Sequence, residues 1–153
     1  MAKTKNRYYY PINADKIIRI TYDESPAHKG PLKESVDFVV PVGTPVKAAR
    51  RGKVVDILDG SEIGGEDRKF EEFGNFVEIE HDNEEYSEYE HLRKGLLVKV
   101  GDMVKRGQMI GYSGDTGWIA QLGPHLHFMV GKYGKTIKDY KTLEIVWRKS
   151  GNL

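Results

Sequence analysis

The chain has 153 residues, enough for one domain with a core and too few for two ordinary ones. Its 24 Lys and Arg against 23 Asp and Glu leave a formal charge of +1, so no overall field recruits nucleic acid or a membrane surface. Cysteine is absent, which excludes disulfides, thiolate metal sites and cysteine nucleophiles; any metal must be held by His, Asp or Glu.

Residues 1–11 carry a basic cluster with no apolar run behind it, and no stretch approaches the roughly 18 to 20 apolar residues of a membrane span. Neither a signal peptide nor membrane insertion is expected, and the sequence alone reads as cytoplasmic. Glycine is frequent, and short β-branched or aromatic runs alternate with turn residues, which predicts an all-β chain with little helix. Residues 17–22 are the first plausible strand. In the loop that follows, Pro26, Gly30 and Pro31 bracket His28; a loop histidine is ordinarily solvated, and its only support for function is that loops often carry it. Residues 35–41 are the next strand, with Asp37 among Val and Phe. A carboxylate is disfavoured in a strand and costly to bury alone, so Asp37 either faces solvent on an edge or is balanced by a cation.

The pattern V-x-V-G-x-x-V occurs at 40–46 and again at 98–104, each copy leading to a further glycine (Gly52, Gly107) and an apolar strand. It reads as a structural duplication inside one sandwich or barrel, in which a strand turns tightly at glycine before returning. Residues 59–74 are polar, acidic and glycine-rich, a surface loop able to border a cleft. Residues 75–81 and 86–92 alternate as the arms of a hairpin around the turn 82–85. His81 at the end of the first arm reads as a hydrogen-bonding end residue, and His91 lies on the second.

The run Gly123-Pro124-His125-Leu126-His127-Phe128-Met129-Val130 organises the rest. As a strand it projects His125 and His127 from one face and sends Leu126 and Phe128 into a core. Taken alone, H-x-H equally describes two polar residues on a solvated face. The other histidines and Asp37 change the weighing. Catalytic zinc takes three protein ligands of N and O type and keeps a position for water, a count that two His and one Asp meet, and a further imidazole would move protons. The tail after Gly131 closes the domain.

The ordered string D-F-x-x-P-x-G-T-P-V, G-N-x-V-x-I-x-H, Y-x-H-L, V-G-D-x-V-x-x-G-Q-x-I-G-x-S-G-x-T-G and G-P-H-L-H-F resembles the lysostaphin/LytM-type zinc metallopeptidases over about residues 27–130. The resemblance implies a compact all-β, antiparallel sandwich or barrel-like fold for a single domain spanning 1–153, with 1–26 and 131–153 as flanking strands and tail. It implies Asp37 and His127 as Zn2+ ligands and His91 and His125 as catalytic imidazoles. The family's third ligand is a His four residues before the Asp; Lys33 stands there, and an ammonium cannot ligate, so His28, nine residues before Asp37, is assigned that role. Glu90, Met129 and the bulky 118–122 segment depart from the family pattern and bear on substrate preference.

The implied activity is zinc-assisted hydrolysis of peptide bonds in bacterial cell-wall peptidoglycan, in glycine bridges or stem-peptide crosslinks, by a monomer with no nucleic-acid partner. The alternatives are a degenerate, non-catalytic domain that binds wall peptides or regulates another hydrolase, and a biotinyl or lipoyl carrier, for which no modifiable lysine motif occurs. An extracytoplasmic substrate without a visible leader is reconciled by a phage or lysis protein, by unconventional export or by a sequence that is a trimmed piece of a longer one, and a cytoplasmic peptidase acting on another glycine-rich or D-amino-acid peptide is the remaining alternative.

Overall fold

The structure, a computed structural model, describes residues 2–22, 26, 28–120 and 122–148. Within them the chain forms β1 (Lys3–Tyr8), β2 (Arg19–Thr21), β3 (Val36–Val39), β4 (Pro45–Lys47), β5 (Gly52–Leu58), β6 (Gly64–Gly65) and β7 (Asn75–Glu80). It continues through β8 (Tyr86–Leu92), β9 (Met103–Val104), β10 (Met109–Tyr112), β11 (Gly117–Trp118), β12 (His125–Lys132), β13 (Lys141–Thr142) and β14 (Glu144–Trp147). The helical turns between them are short and 3-10, as the scarcity of helical periodicity predicts. None is long or apolar enough to cross a membrane.

The main sheet runs β2-β3-β12-β8-β7-β5-β9, with β13 added to β12. Strand β12 lies inside the sheet, between β3 and β8, where its alternation satisfies both faces. Leu126, Phe128 and Val130 are fully buried on the core side, where Phe128 meets Tyr89 at 5.1 Å and Trp147 at 5.8 Å between ring centroids. Each such side chain contributes about 1.5 to 3 kcal/mol through burial. His125, His127 and Met129 occupy the opposite face.

The repeated glycine units do not close on themselves as two separate hairpins. They exchange strands: β4 of the first copy pairs with β10 of the second, and β9 of the second pairs with β5 of the first. The turn glycines make matching contacts, Gly43 N–H donating to Ser113 O and Gly101 N–H to Val54 O, each at 2.8 Å. Both glycines have positive φ, +88° and +99°, the conformation that glycine alone adopts cheaply.

Two segments are more ordered than the sequence suggests. The basic N-terminal run is β1, paired in parallel with β14, and it buries Thr4, Asn6 and Tyr8. The polar 59–74 stretch contributes β6, which pairs with β11, and a 3-10 helix at Arg68–Phe73.

Candidate metal centre

Backbone pairing brings the site together. Asp37 on β3 stands directly opposite His127 on β12, and His127 in turn opposes Glu90 on β8. Asp37 is fully buried and His127 nearly so, which removes the solvent-edge reading of Asp37. His127 Nδ1 lies 3.1 Å from Asp37 Oδ1. His28 arrives from the loop before β3: its Nε2 is 3.1 Å from Asp37 Oδ2 and 3.3 Å from His127 Nδ1. The candidate ligand atoms of His28, Asp37 and His127 all lie within 4.8 Å of one another. Lys33 is exposed on a turn and takes no part.

The donor set fits a divalent cation. His28 Nδ1–H donates to the Tyr22 carbonyl, so in the neutral ring Nε2 carries a lone pair. That lone pair faces Asp37 Oδ2, a buried oxygen with no well-formed hydrogen bond despite the 3.1 Å approach. Two acceptors pressed together in a dry site are unfavourable unless a proton or a metal ion lies between them. Two imidazole nitrogens and a carboxylate are the N and O donors that a catalytic zinc site uses, so the residues present fit Zn2+.

His125 and His91 stand beside this candidate ligand group. The His125 Nδ1–H donates to Gly123 O at 2.7 Å, and its Nε2 approaches Asp37 Oδ1 at 3.6 Å. His91 Nδ1–H donates to Thr116 O at 2.8 Å, and its ring centroid is 4.6 Å from that of His125. Both rings are therefore held as the Nδ1–H tautomer with Nε2 available. His91 has φ of +67°, a strained conformation for a non-glycine residue and one that clusters at functional sites. His81 lies apart: it donates to Arg51 O at 2.7 Å and meets Ser87 Oγ at 2.8 Å, the end-of-strand role predicted for it.

Burial alone would raise the Asp37 carboxyl, but the hydrogen bond from His127, the close approach of His28 and the facing imidazoles outweigh it and hold the group well below the usual carboxylate range. Burial pushes His127 down, and the Asp37 hydrogen bond with the Glu90 charge more than reverses this. Burial, then the neighbouring His125 and His127, takes His91 down to about 3; burial also lowers His125.

The carbonyls of Tyr22, Gly123 and Thr116, which fix three imidazoles, were not singled out from the sequence. A backbone carbonyl leaves no residue-type signal, although the glycines around Thr116 and before His125 mark where the chain turns to present one. Gly117, with φ of +83°, packs so closely that a Cβ there would sit 2.7 Å from Gly74 Cα and 3.3 Å from His91 Nδ1.

The sequence model of peptidase family M23 matches residues 31–139, so His28 lies just ahead of the matched segment. The peptidoglycan DD-endopeptidase ShyB of Vibrio cholerae is 40% identical over 128 residues, covering 79% of this chain and 26% of that protein. Lysostaphin of Staphylococcus simulans is 45% identical over 100 residues, 65% of this chain and 18% of that one. The chain thus spans about a quarter or less of the length of these two relatives. Among solved structures, a zinc-containing peptidase from Vibrio cholerae superposes with a TM-score of 0.59 at 34% identity, over 81% of this chain and 36% of that one.

Proposed function

The chain belongs to peptidase family M23, and on that premise we propose that it is a zinc metalloendopeptidase hydrolysing peptide bonds of bacterial cell-wall peptidoglycan. In this reading His28, Asp37 and His127 hold the ion, and His91 and His125 are the catalytic imidazoles. Zinc bound there supplies an acidified water and a Lewis acid for the scissile carbonyl. With their Nδ1–H groups committed to Thr116 and Gly123, His91 and His125 each offer Nε2 as a proton acceptor. One ring accepts the proton of the attacking water and passes it to the leaving amine as the C–N bond breaks. As an imidazolium it also donates to the oxyanion that forms when the carbonyl carbon becomes tetrahedral.

The convergence of His28, Asp37 and His127 within 4.8 Å, beside two imidazoles of fixed tautomer, carries this reading. Relatives named as peptidoglycan DD-endopeptidase and lysostaphin supply the substrate class. The test pairs metal content by mass spectrometry with release of new amino groups from purified wall. About one zinc per chain is expected, with hydrolysis abolished by chelation and restored by zinc. Protein that stays metal-free after incubation with zinc and leaves the wall intact would instead be a non-catalytic binding domain.

A further inference from the structure

The near-neutral net charge conceals a segregation. A groove of about 580 Å³ runs between β1, the segment before β5 and the β9–β10 turn. Lys5 and Arg7 of β1 line one side. Arg50 and Arg51, Lys105 and Arg106 on the turn, and Arg148 beyond β14 complete the basic lining. These take seven of the chain's 24 basic residues, and among the described residues no Asp or Glu lines the groove, although Asp82 lies beside Arg50. So concentrated a field attracts anions however small the total charge.

The groove is also built. Arg50 is held by Arg7 O at 3.3 Å and by Asp82 at 3.5 Å. These contacts fix the part-exposed Arg50 guanidinium at the groove, where its charge and outer nitrogens meet an anion. The Arg106 guanidinium lies 4.0 Å from the Tyr9 ring centroid and that of Arg148 lies 5.6 Å from it, which orders both forks. Five of the seven cations are arginines, the residue whose planar fork matches phosphate oxygens.

We propose that this groove binds a flexible phosphodiester polymer that carries no bases. Its concavity suits a strand rather than a flat membrane surface, and its aromatic, Tyr9, is already engaged by guanidinium groups, so it offers no platform for stacked bases. The groove lies at the tip of the β7–β8 hairpin, by Asp82, whereas His91 is at the hairpin's other end. A polymer held there leaves the metal centre open, and its binding requires neither zinc nor peptide hydrolysis.

The probe is a fluorescently labelled oligomer of glycerol phosphate, with binding read by anisotropy across a salt series. The logarithm of the association constant should fall with that of salt at a slope of about −3, as four to five phosphate contacts require. Lys105→Ala with Arg106→Ala should weaken binding about tenfold and flatten the slope by about 1.5, and exposed Arg7→Ala should flatten it by about half as much. The charge-matched pair Lys135→Ala with Lys138→Ala, exposed in and just before the 3-10 helix Ile137–Asp139, should leave binding unchanged. Far-UV circular dichroism and melting confirm that each variant is folded, and Arg7→Ala carries the test if the turn variant is not. Three results would overturn the proposal: no binding at low salt, equal weakening by the control pair, or tighter binding of single-stranded DNA with as many phosphates. Equal affinity for polyglutamate would overturn the choice of phosphate.

Discussion

His127 Nδ1 and Asp37 Oδ1 lie 3.1 Å apart across one rung of the β12–β3 ladder. The rung is set by backbone pairing, and the opposite face of β12 is locked by buried Leu126 and Phe128, so the two candidate ligands are positioned by the fold itself. Asp37→Ala or His127→Ala should therefore remove zinc and abolish hydrolysis. Metal content after gel filtration is the measurement, and a variant that keeps one zinc per chain is not missing a ligand.

His28 supplies the test of how the triad is completed. It enters from a loop and is fixed by the Tyr22 carbonyl, and its nine-residue spacing from Asp37 differs from the family's four. His28→Ala should lower zinc affinity by at least tenfold while the sheet stays intact, because no strand pairing depends on it. Unchanged affinity in competition with a chromogenic chelator would remove His28 from the ligand set.

His125→Ala should separate holding the metal from using it. Its ring is anchored to Gly123 and stands outside the three-ligand group, so zinc should remain while the rate falls by about 10² to 10⁴. Loss of metal in step with rate would make His125 a ligand.

The conformation behind His91 is testable at Gly117. Alanine there places a Cβ 2.7 Å from Gly74 Cα and 3.3 Å from His91 Nδ1 at a φ of +83°. The strain costs about 1 to 3 kcal/mol, and moving the Thr116 carbonyl would release His91. A lower kcat with zinc content unchanged is the expected result. Full activity would mean that the 74–117 contact does not position His91.

The all-β character, the β7–β8 hairpin and both faces of β12 could be read from the sequence because each rests on a period-two pattern. Asp37 stood out for a related reason, a carboxylate inside a β-branched run. Strand β1 was implied only by the resemblance, as part of the flanking strands: its own Lys, Thr, Asn and Arg carry no apolar alternation, and what pins the strand is Glu85, distant in sequence. Nor does a repeated glycine motif reveal that its two copies exchange strands, since either pairing uses the same residues. The cationic groove was hidden by averaging charge over the whole chain.

Glu85 gives strand β1 an energetic test. Fully buried, it accepts from Lys5 N–H at 2.6 Å, Asn6 N–H at 3.2 Å and Tyr8 Oη at 3.0 Å. Glu85→Gln turns one acceptor into a donor facing other donors, a loss of about 1 to 3 kcal/mol. The melting temperature should fall by several degrees, and an unchanged one would show that β1 is held by its pairing with β14 instead.

Away from the metal centre, His81 makes stability depend on pH. Burial, aided by the Arg50 charge, pushes its imidazole down from 6.5 to about 4, against the raising influence of the Arg51 carbonyl and of Asp82 and Glu80. The unfolded chain therefore binds a proton between these values that the folded chain refuses. The stabilisation from a neutral His81 is complete above pH 6.5 and drains away as pH falls toward 4, by about 3 kcal/mol in all. His81 meets the Ser87 hydroxyl, which in turn meets Tyr89 Oη at 2.9 Å, so protonation also disturbs a buried polar chain. Urea unfolding at several pH values, with chelator present to remove metal linkage, should show wild type losing more stability than His81→Gln over this window. Parallel curves for the two proteins would mean that the folded chain accommodates the charged imidazole.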